Sequence, residues 1–232
     1  MSAAPFPPDE PARLDALARY RVMDTGAEQS FDDIAKLAGF ICKTPIAVLT
    51  LIDSDRQWFK ARLGIDVSET PRDQAFCAHT ILSNDVMVVE DATKDVRFLD
   101  NPFVTGEAHV RFYAGAPLIT SDNFKLGSLC VIDHEPRKLS AGEKTALEAL
   151  SRLVMTGLEL SRSSYELAKA LDEVKALSGL LPICSYCKDI RDDQGYWKKV
   201  EQYIGSHTGA EFSHGICPKC AKKYFPEFYK GP

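Results

Sequence analysis

Residues 111–137 decide how this chain is read: Arg-Phe-Tyr-Ala-Gly-Ala-Pro-Leu-Ile-Thr from Arg111 to Thr120, Ser-Asp-Asn-Phe-Lys to Lys125, Leu-Gly-Ser-Leu-Cys-Val-Ile-Asp to Asp133, and His-Glu-Pro-Arg to Arg137. Two apolar runs flank a polar turn, which is the pattern of a β-hairpin. Phe112, Ala114, Ala116 and Leu118 share one face of the first strand; Tyr113, Gly115, Pro117 and Ile119 share the other. Leu129 to Ile132 are apolar in succession. Strands of this kind are covered on both faces. The hairpin therefore predicts helices on one side and a second layer, with room for a small ligand, on the other. Pro117 has no N–H to give and points to an edge or bulge position.

Outward from the hairpin, the chain reads as alternating short helices and strands. Residues 1–8 are rich in Ala and Pro and read as a disordered arm. From Asp9 a helix carries Leu14, Leu17 and Ala18 on one face. Ser30-Phe-Asp-Asp33 resembles a capping box, and the helix after it places Ile34, Leu37, Ala38 and Ile41 together. Ile46–Ile52 is a buried strand, returned after a turn by Gln57–Arg62. Thr70-Pro71-Arg72-Asp73 reads as a helix start, with Phe76, Cys77, His79, Thr80 and Ile81 on the helix. Val86–Val89 is a short strand, and 91–106 is loop with one helical turn.

After the hairpin, Ser140 and Glu143 form a capping box. The helix they open continues towards Leu181. Leu153, Leu160, Leu167, Val174 and Leu181 recur every seven residues, with Gly157, Ser164, Leu171 and Ser178 in the companion row. One good row and one weak row predict a modest coiled coil, and with it a homodimer. Pro182 ends the helix.

Composition bounds the function. The chain has 232 residues, 45% hydrophobic and 26% charged, with net charge −5. That is enough for one sizeable domain and a small module, without a signature for polyanion binding. No window reaches the roughly 18 apolar residues of a membrane span, and the first residues do not form a signal peptide. A cytoplasmic protein without membrane contact is expected.

The seven cysteines are unevenly placed. Cys42, Cys77 and Cys130 are dispersed. Cys184 and Cys187, and Cys217 and Cys220, form two C-x-x-C pairs separated by 29 residues. Two such turns can present four thiolates to one tetrahedral Zn²⁺. The gap exceeds the usual 15–20 or so and has room for a hairpin and a helix, so a treble-clef-like module stapled by structural zinc is expected. His214 is the candidate substitute ligand. A disulfide or redox pair is the alternative. From Cys184 onward eight basic residues face six acidic ones, a weak basis for nucleic-acid binding.

Ile46–Ile52, Asp55-Arg-Gln-Trp-Phe-Lys60, Phe76-Cys-Ala-His79 and Arg111–Arg137 together resemble the GAF domain of bacterial sensor kinases and cyclic-dinucleotide signalling proteins. The resemblance covers about Leu14–Leu160. It implies an α+β fold with a central antiparallel sheet of about six strands, helices on both sides and a small-molecule pocket on one face. It also implies a regulatory sensor whose terminal helix passes a signal into a dimeric coiled coil. Leu181–Cys184, Gly195-Tyr-Trp197 and Phe212–Cys220 resemble a short cysteine module appended to such proteins.

The expected organisation is an arm (1–8), a GAF domain (9–157), a helical linker (158–181) and a four-cysteine zinc-type module (182–232). The expected function is a non-enzymatic small-molecule sensor or adaptor. Its partner would be a signalling protein such as a histidine kinase or cyclic-dinucleotide enzyme. The alternatives are a cysteine-based redox switch or methionine sulfoxide reductase, and a zinc-dependent nucleic-acid binder. Candidate pocket residues are Trp58, Phe76, His79, Phe98, Phe103, His109, Arg111 and Tyr113. His109 and Arg111 could hold an anionic ligand. Cys42, Cys77 and Cys130 do not match the reductase branch's cysteine pattern, and Cys130, mid-strand, reads as an inert core thiol. Ala78 between Cys77 and His79 disfavours bilin attachment. No catalytic residue is predicted.

Overall fold

A computed structural model of the chain describes residues 3–177, 181–192 and 194–227. Two compact units meet in sequence between Ala168 and Lys169. The first contains α1 (Glu10–Tyr20), α2 (Gln29–Cys42), β1 (Ile46–Ile52), β2 (Arg56–Leu63), β3 (Glu69–Pro71), α3 (Phe76–Thr80), β4 (Met87–Val89), α4 (Pro102–Thr105), β5 (Phe112–Ile119), β6 (Lys125–Asp133) and most of α5 (Ala141–Leu177). The six strands form one antiparallel sheet in the order β3-β2-β1-β6-β5-β4. The 37-residue α5 continues into the second unit.

The opening hairpin is β5–β6, two inner strands buried on both faces. Phe112, Ala114, Ala116, Leu118, Leu129 and Val131 join a core with Ala16 and Leu17 of α1, Phe31, Ala35 and Ala38 of α2, and Leu147, Val154 and Leu158 of α5. Tyr113 and Cys130, on the opposite face, join Phe76, Cys77, Ile81, Phe98 and Val104. Each fully buried Leu adds roughly 1.5–3 kcal/mol, so this two-sided core holds the unit together. Pro117 lies beyond the reach of β4, which pairs only with Tyr113–Gly115, so β5 is itself the open edge there. Gly127 lets β6 pass close to β1: a Cβ on it would collide with the Thr50 carbonyl oxygen.

Several local readings are corrected. Residues 3–8 are irregular, but Phe6 is not loose: its ring lies under the Arg72 guanidinium, 4.4 Å from it. Helix α1 buries Glu10, Arg13, Ala16, Leu17 and Tyr20, while Ala18 is exposed. Arg13 is 1% exposed because it pairs with Glu10 at 2.7 Å, and Glu10 also pairs closely with Arg72. Arg72 donates further to the Asp53 carbonyl at 2.6 Å. This anchorage keeps 69–71 extended as β3, followed by a single 3-10 turn at Arg72–Gln74, so the predicted helix start at Thr70 is not formed. Ser30 is not a cap either, since α2 begins at Gln29. Glu28 precedes that helix, and its carboxylate is taken by the fully buried Lys60 ammonium at 2.7 Å. The buried face of α2 is Phe31, Ala35, Ala38, Gly39 and Cys42, and Leu37 is 49% exposed. The Ser140–Glu143 capping box forms as expected: Ser140 N–H donates to Glu143 at 2.8 Å and Glu143 N–H to Ser140 Oγ at 3.3 Å.

The second unit holds β7 (Ile190–Arg191), β8 (Trp197–Lys198), α6 (Val200–His207) and α7 (Pro218–Tyr224). The hairpin β7–β8 turns at Gly195, whose φ of +88° suits glycine. Asp192 shapes the turn by accepting from the N–H groups of Gln194 at 3.1 Å and Tyr196 at 2.8 Å.

Candidate functional site

The sheet face away from α1, α2 and α5 is where a pocket is expected, and it is filled by its own side chains. Phe76 of α3 stacks on Phe98, ring centroids 3.9 Å apart, and leans on Tyr113 at 5.2 Å. His79 meets the Phe98 ring edge-on at 4.9 Å. Phe103 of α4 is half-buried against the same cluster. These five predicted residues are brought together. Trp58 is not among them: it pairs with Leu51 across β1–β2 and packs in the helix-side core. A one-residue change of strand phase decides this, because successive side chains alternate between faces. His109 is exposed at φ +46°. Arg111 donates to the carbonyls of Val104 and Val110, each at 2.9 Å, and to the His109 ring at 2.8 Å. That cation ties the α4 loop to the start of β5, so the pair anticipated for an anionic ligand is engaged in local structure.

A buried polar thread runs beneath the aromatic stack. The Tyr113 hydroxyl lies 2.6 Å from Thr80 Oγ1, 3.3 Å from Cys77 Sγ, to which it donates, and 3.5 Å from Ser128 Oγ. Thr50 donates to the Ser128 carbonyl at 3.2 Å. Cys77 Sγ and Cys130 Sγ are 3.5 Å apart. The Tyr113 hydroxyl fits because Gly115, two residues along the same face, has no side chain: a Cβ there would collide with the hydroxyl oxygen. Burial pushes the Tyr113 hydroxyl and the Cys130 thiol above their ordinary pKa values. Burial also acts to raise Cys77, but hydrogen bonding with Cys130, Ser128, Thr50 and Tyr113 outweighs it and holds that thiol below its ordinary range. Local pattern does not mark Thr50, Thr80 and Ser128 as site residues, and Cys77 and Cys130 are far apart in sequence. Only Gly115 beside Tyr113 hints at the thread in the sequence.

In the second unit Cys184, Cys187, Cys217 and Cys220 are free thiols. Cys184 opens a tight loop in which its N–H donates to the Asp189 carbonyl at 2.8 Å and its carbonyl accepts from the Lys188 N–H at 3.1 Å. Backbone N–H groups of Cys187 and Tyr186, then the Cys187 thiol, lower the Cys184 pKa. Cys217 caps α7, and the Cys220 N–H, followed by the Cys220 thiol, lowers its pKa in the same way. Each pair thus favours one thiolate by its own turn, the state a zinc ligand needs. Among the described residues, no group of three or more His, Cys, Asp or Glu side chains is placed to hold one ion. The two cysteine pairs are not brought together in one such group. His214 is exposed in the loop before α7.

The exposed stripe on α5 is the third feature. Leu153, Leu160 and Leu167 are 56%, 67% and 62% exposed, and Leu171 in the companion row is 53% exposed. The Val174 side chain and Ser178 lie outside the described residues, and Leu181 follows the end of α5. No described helix is long and apolar enough to cross a membrane.

An antiparallel six-stranded sheet, covered by terminal helices on one face and by short helices and loops on the other, defines an α+β domain. The GAF domain model matches residues 26–158, and the chain belongs to the GAF domain family. It is 45% identical over 165 residues to a protein of Pseudomonas aeruginosa named as a cyclic di-GMP phosphodiesterase. That match covers 71% of this chain and 28% of the relative, so the chain spans well under half of the relative's length. Among solved structures it is similar to the GAF domain of an Acinetobacter phosphoenolpyruvate-protein phosphotransferase, with TM-score 0.49 and 17% identity over 67% of this chain and 98% of that one. It is also similar to a free methionine-R-sulfoxide reductase of Neisseria meningitidis, with TM-score 0.49 and 16% identity over 71% and 99% of the two chains.

Proposed function

We propose that this chain is a non-enzymatic regulatory protein of bacterial signalling, in which a GAF domain acts through a dimeric helix on a zinc-stabilised module. The observation that carries the reading is the row of Leu153, Leu160 and Leu167, each more than half exposed at seven-residue spacing on α5. A leucine row of that period is the seam of a two-helix coiled coil, and its leucines are buried by a second copy. Cys184, Cys187, Cys217 and Cys220 would hold Zn²⁺, with one thiolate favoured in each pair. When bound, the ion supplies the cross-link that a unit with so little apolar core needs. Likeness to part of a cyclic di-GMP phosphodiesterase supports a cyclic-dinucleotide enzyme as the kind of signalling partner. The test is light scattering on the intact chain. The wild type is expected to be a dimer at micromolar concentration, and Leu160→Glu a folded monomer with unchanged far-ultraviolet dichroism. A wild-type monomer would remove the reading.

A further inference from the structure

The geometry points to Cys77 and Cys130 as a reversible disulfide pair, formed by a small hydroperoxide inside the sheet face of the GAF domain. The two sulfurs face each other at 3.5 Å although 53 residues separate them in sequence. They lie in one buried cluster, each no more than 2% exposed. An S–S bond is about 2.05 Å long, so one sulfur has to close by about 1.5 Å. Cys77 lies on α3, a five-residue helix preceded by a single 3-10 turn. Cys130 sits in β6, an inner strand paired on both sides.

The surroundings assign the two roles. The Tyr113 hydroxyl donates to Cys77 Sγ at 3.3 Å and itself lies 2.6 Å from Thr80. Cys77 is therefore the sulfur whose developing negative charge meets donors, and its lowered pKa agrees with that role. In the first step Cys77 sulfur attacks one oxygen of hydrogen peroxide. The O–O bond breaks, the thiol proton passes to the leaving oxygen, and water departs, leaving a sulfenic acid. In the second step Cys130 sulfur attacks Cys77 sulfur, expels the hydroxyl group, and gives up its own proton to make a second water. The two thiols lose two electrons in total and peroxide gains them. A thiol reductant reverses the bond by exchange.

Burial sets the character of the site. Thiol reagents too large to enter the Phe76–Phe98 layer would label the C-terminal cysteines and leave this pair alone. Hydrogen peroxide is close to water in size and can enter during local opening. The bond would tie α3 to the sheet and so make the GAF domain an input for oxidant. The chemistry stands without the dimer; only its regulatory consequence rests on the reading proposed above.

The experiment treats the intact chain with hydrogen peroxide, blocks remaining thiols under denaturing conditions, and maps the unreduced digest by mass spectrometry. The expected result is a linked peptide pair carrying Cys77 and Cys130, lacking two hydrogens and several-fold more abundant than in untreated protein. Dithiothreitol should remove it. Cys130→Ser should abolish the link and let a sulfenic-acid probe trap Cys77. The inference is overturned if both cysteines are recovered blocked and unlinked, or each is joined to other cysteines. Light scattering of the same samples separates the two claims: a missing link in a dimer sinks only this inference, and a linked pair in a monomer sinks only the dimer.

Discussion

The two units stay folded by different means. In the GAF domain, leucines such as Leu49, Leu118, Leu126, Leu129 and Leu147 are at most 1% exposed, and both faces of the sheet are packed. In the second unit Ile190 is the one buried hydrophobic residue among those described, and α6 and α7 bury none. Its visible ties include a two-strand ribbon and ion pairs with exposed lysines, Lys198–Asp192 and Lys199–Asp189, each at 2.8 Å. Surface pairs of this kind contribute about 0–1 kcal/mol each. A ribbon of that size is not stable by itself in water. The difference teaches that the second unit has little apolar burial of its own, which is where the proposed metal would matter most.

The largest expected effect separates the units. Cys217→Ser should unfold the second unit outright, because structural zinc contributes on the order of 10 kcal/mol to such modules. Hydrogen exchange should show amides of α6 and α7 losing protection, while those of β1, β5 and β6 keep theirs. Equal loss in both units would break the comparison. Next, Phe98→Ala should destabilise the GAF domain by about 3–5 kcal/mol in urea unfolding. It removes the ring that stacks on Phe76 and meets His79. It should leave the metal content of the chain unchanged.

A smaller effect probes the charged anchor. Burial alone would raise the Glu10 pKa, but hydrogen bonds and charge from Arg13 and Arg72 hold it below its ordinary 4.5. A depressed carboxyl stabilises the fold above its unfolded pKa, and that contribution is lost as pH falls through the folded value. The GAF domain should therefore weaken as pH drops below about 4.5. Glu10→Gln should cost about 1–3 kcal/mol at neutral pH and flatten the acid slope. An unchanged slope would remove Glu10 from the account.

Much of this was legible in sequence. The alternating faces of β5, the buried β1 and the Ser140–Glu143 box need only local pattern, and they form where expected. The charged interior was not legible. Only the Arg13–Glu10 pair is local to its helix; Lys60 and Arg72 are buried because of Glu28, Thr25, Glu10 and Asp53, partners set by the fold rather than by neighbouring residues. The same is true of Cys77 and Cys130, whose approach depends on how α3 lies over β6. Trp58 is a pocket candidate by residue type alone, and its strand phase places it on the other face. The paired cysteines were legible as two turns. Spacing alone does not say whether the two turns meet in one site, and among the described residues they do not.

One measurement bears most directly on the claim that core holds the first unit and metal the second: elemental analysis of the intact chain purified without added metal, with hydrogen exchange on the same sample. The account predicts about one zinc per chain together with protected amides in α6 and α7. A metal-free chain with those helices fully protected would contradict it.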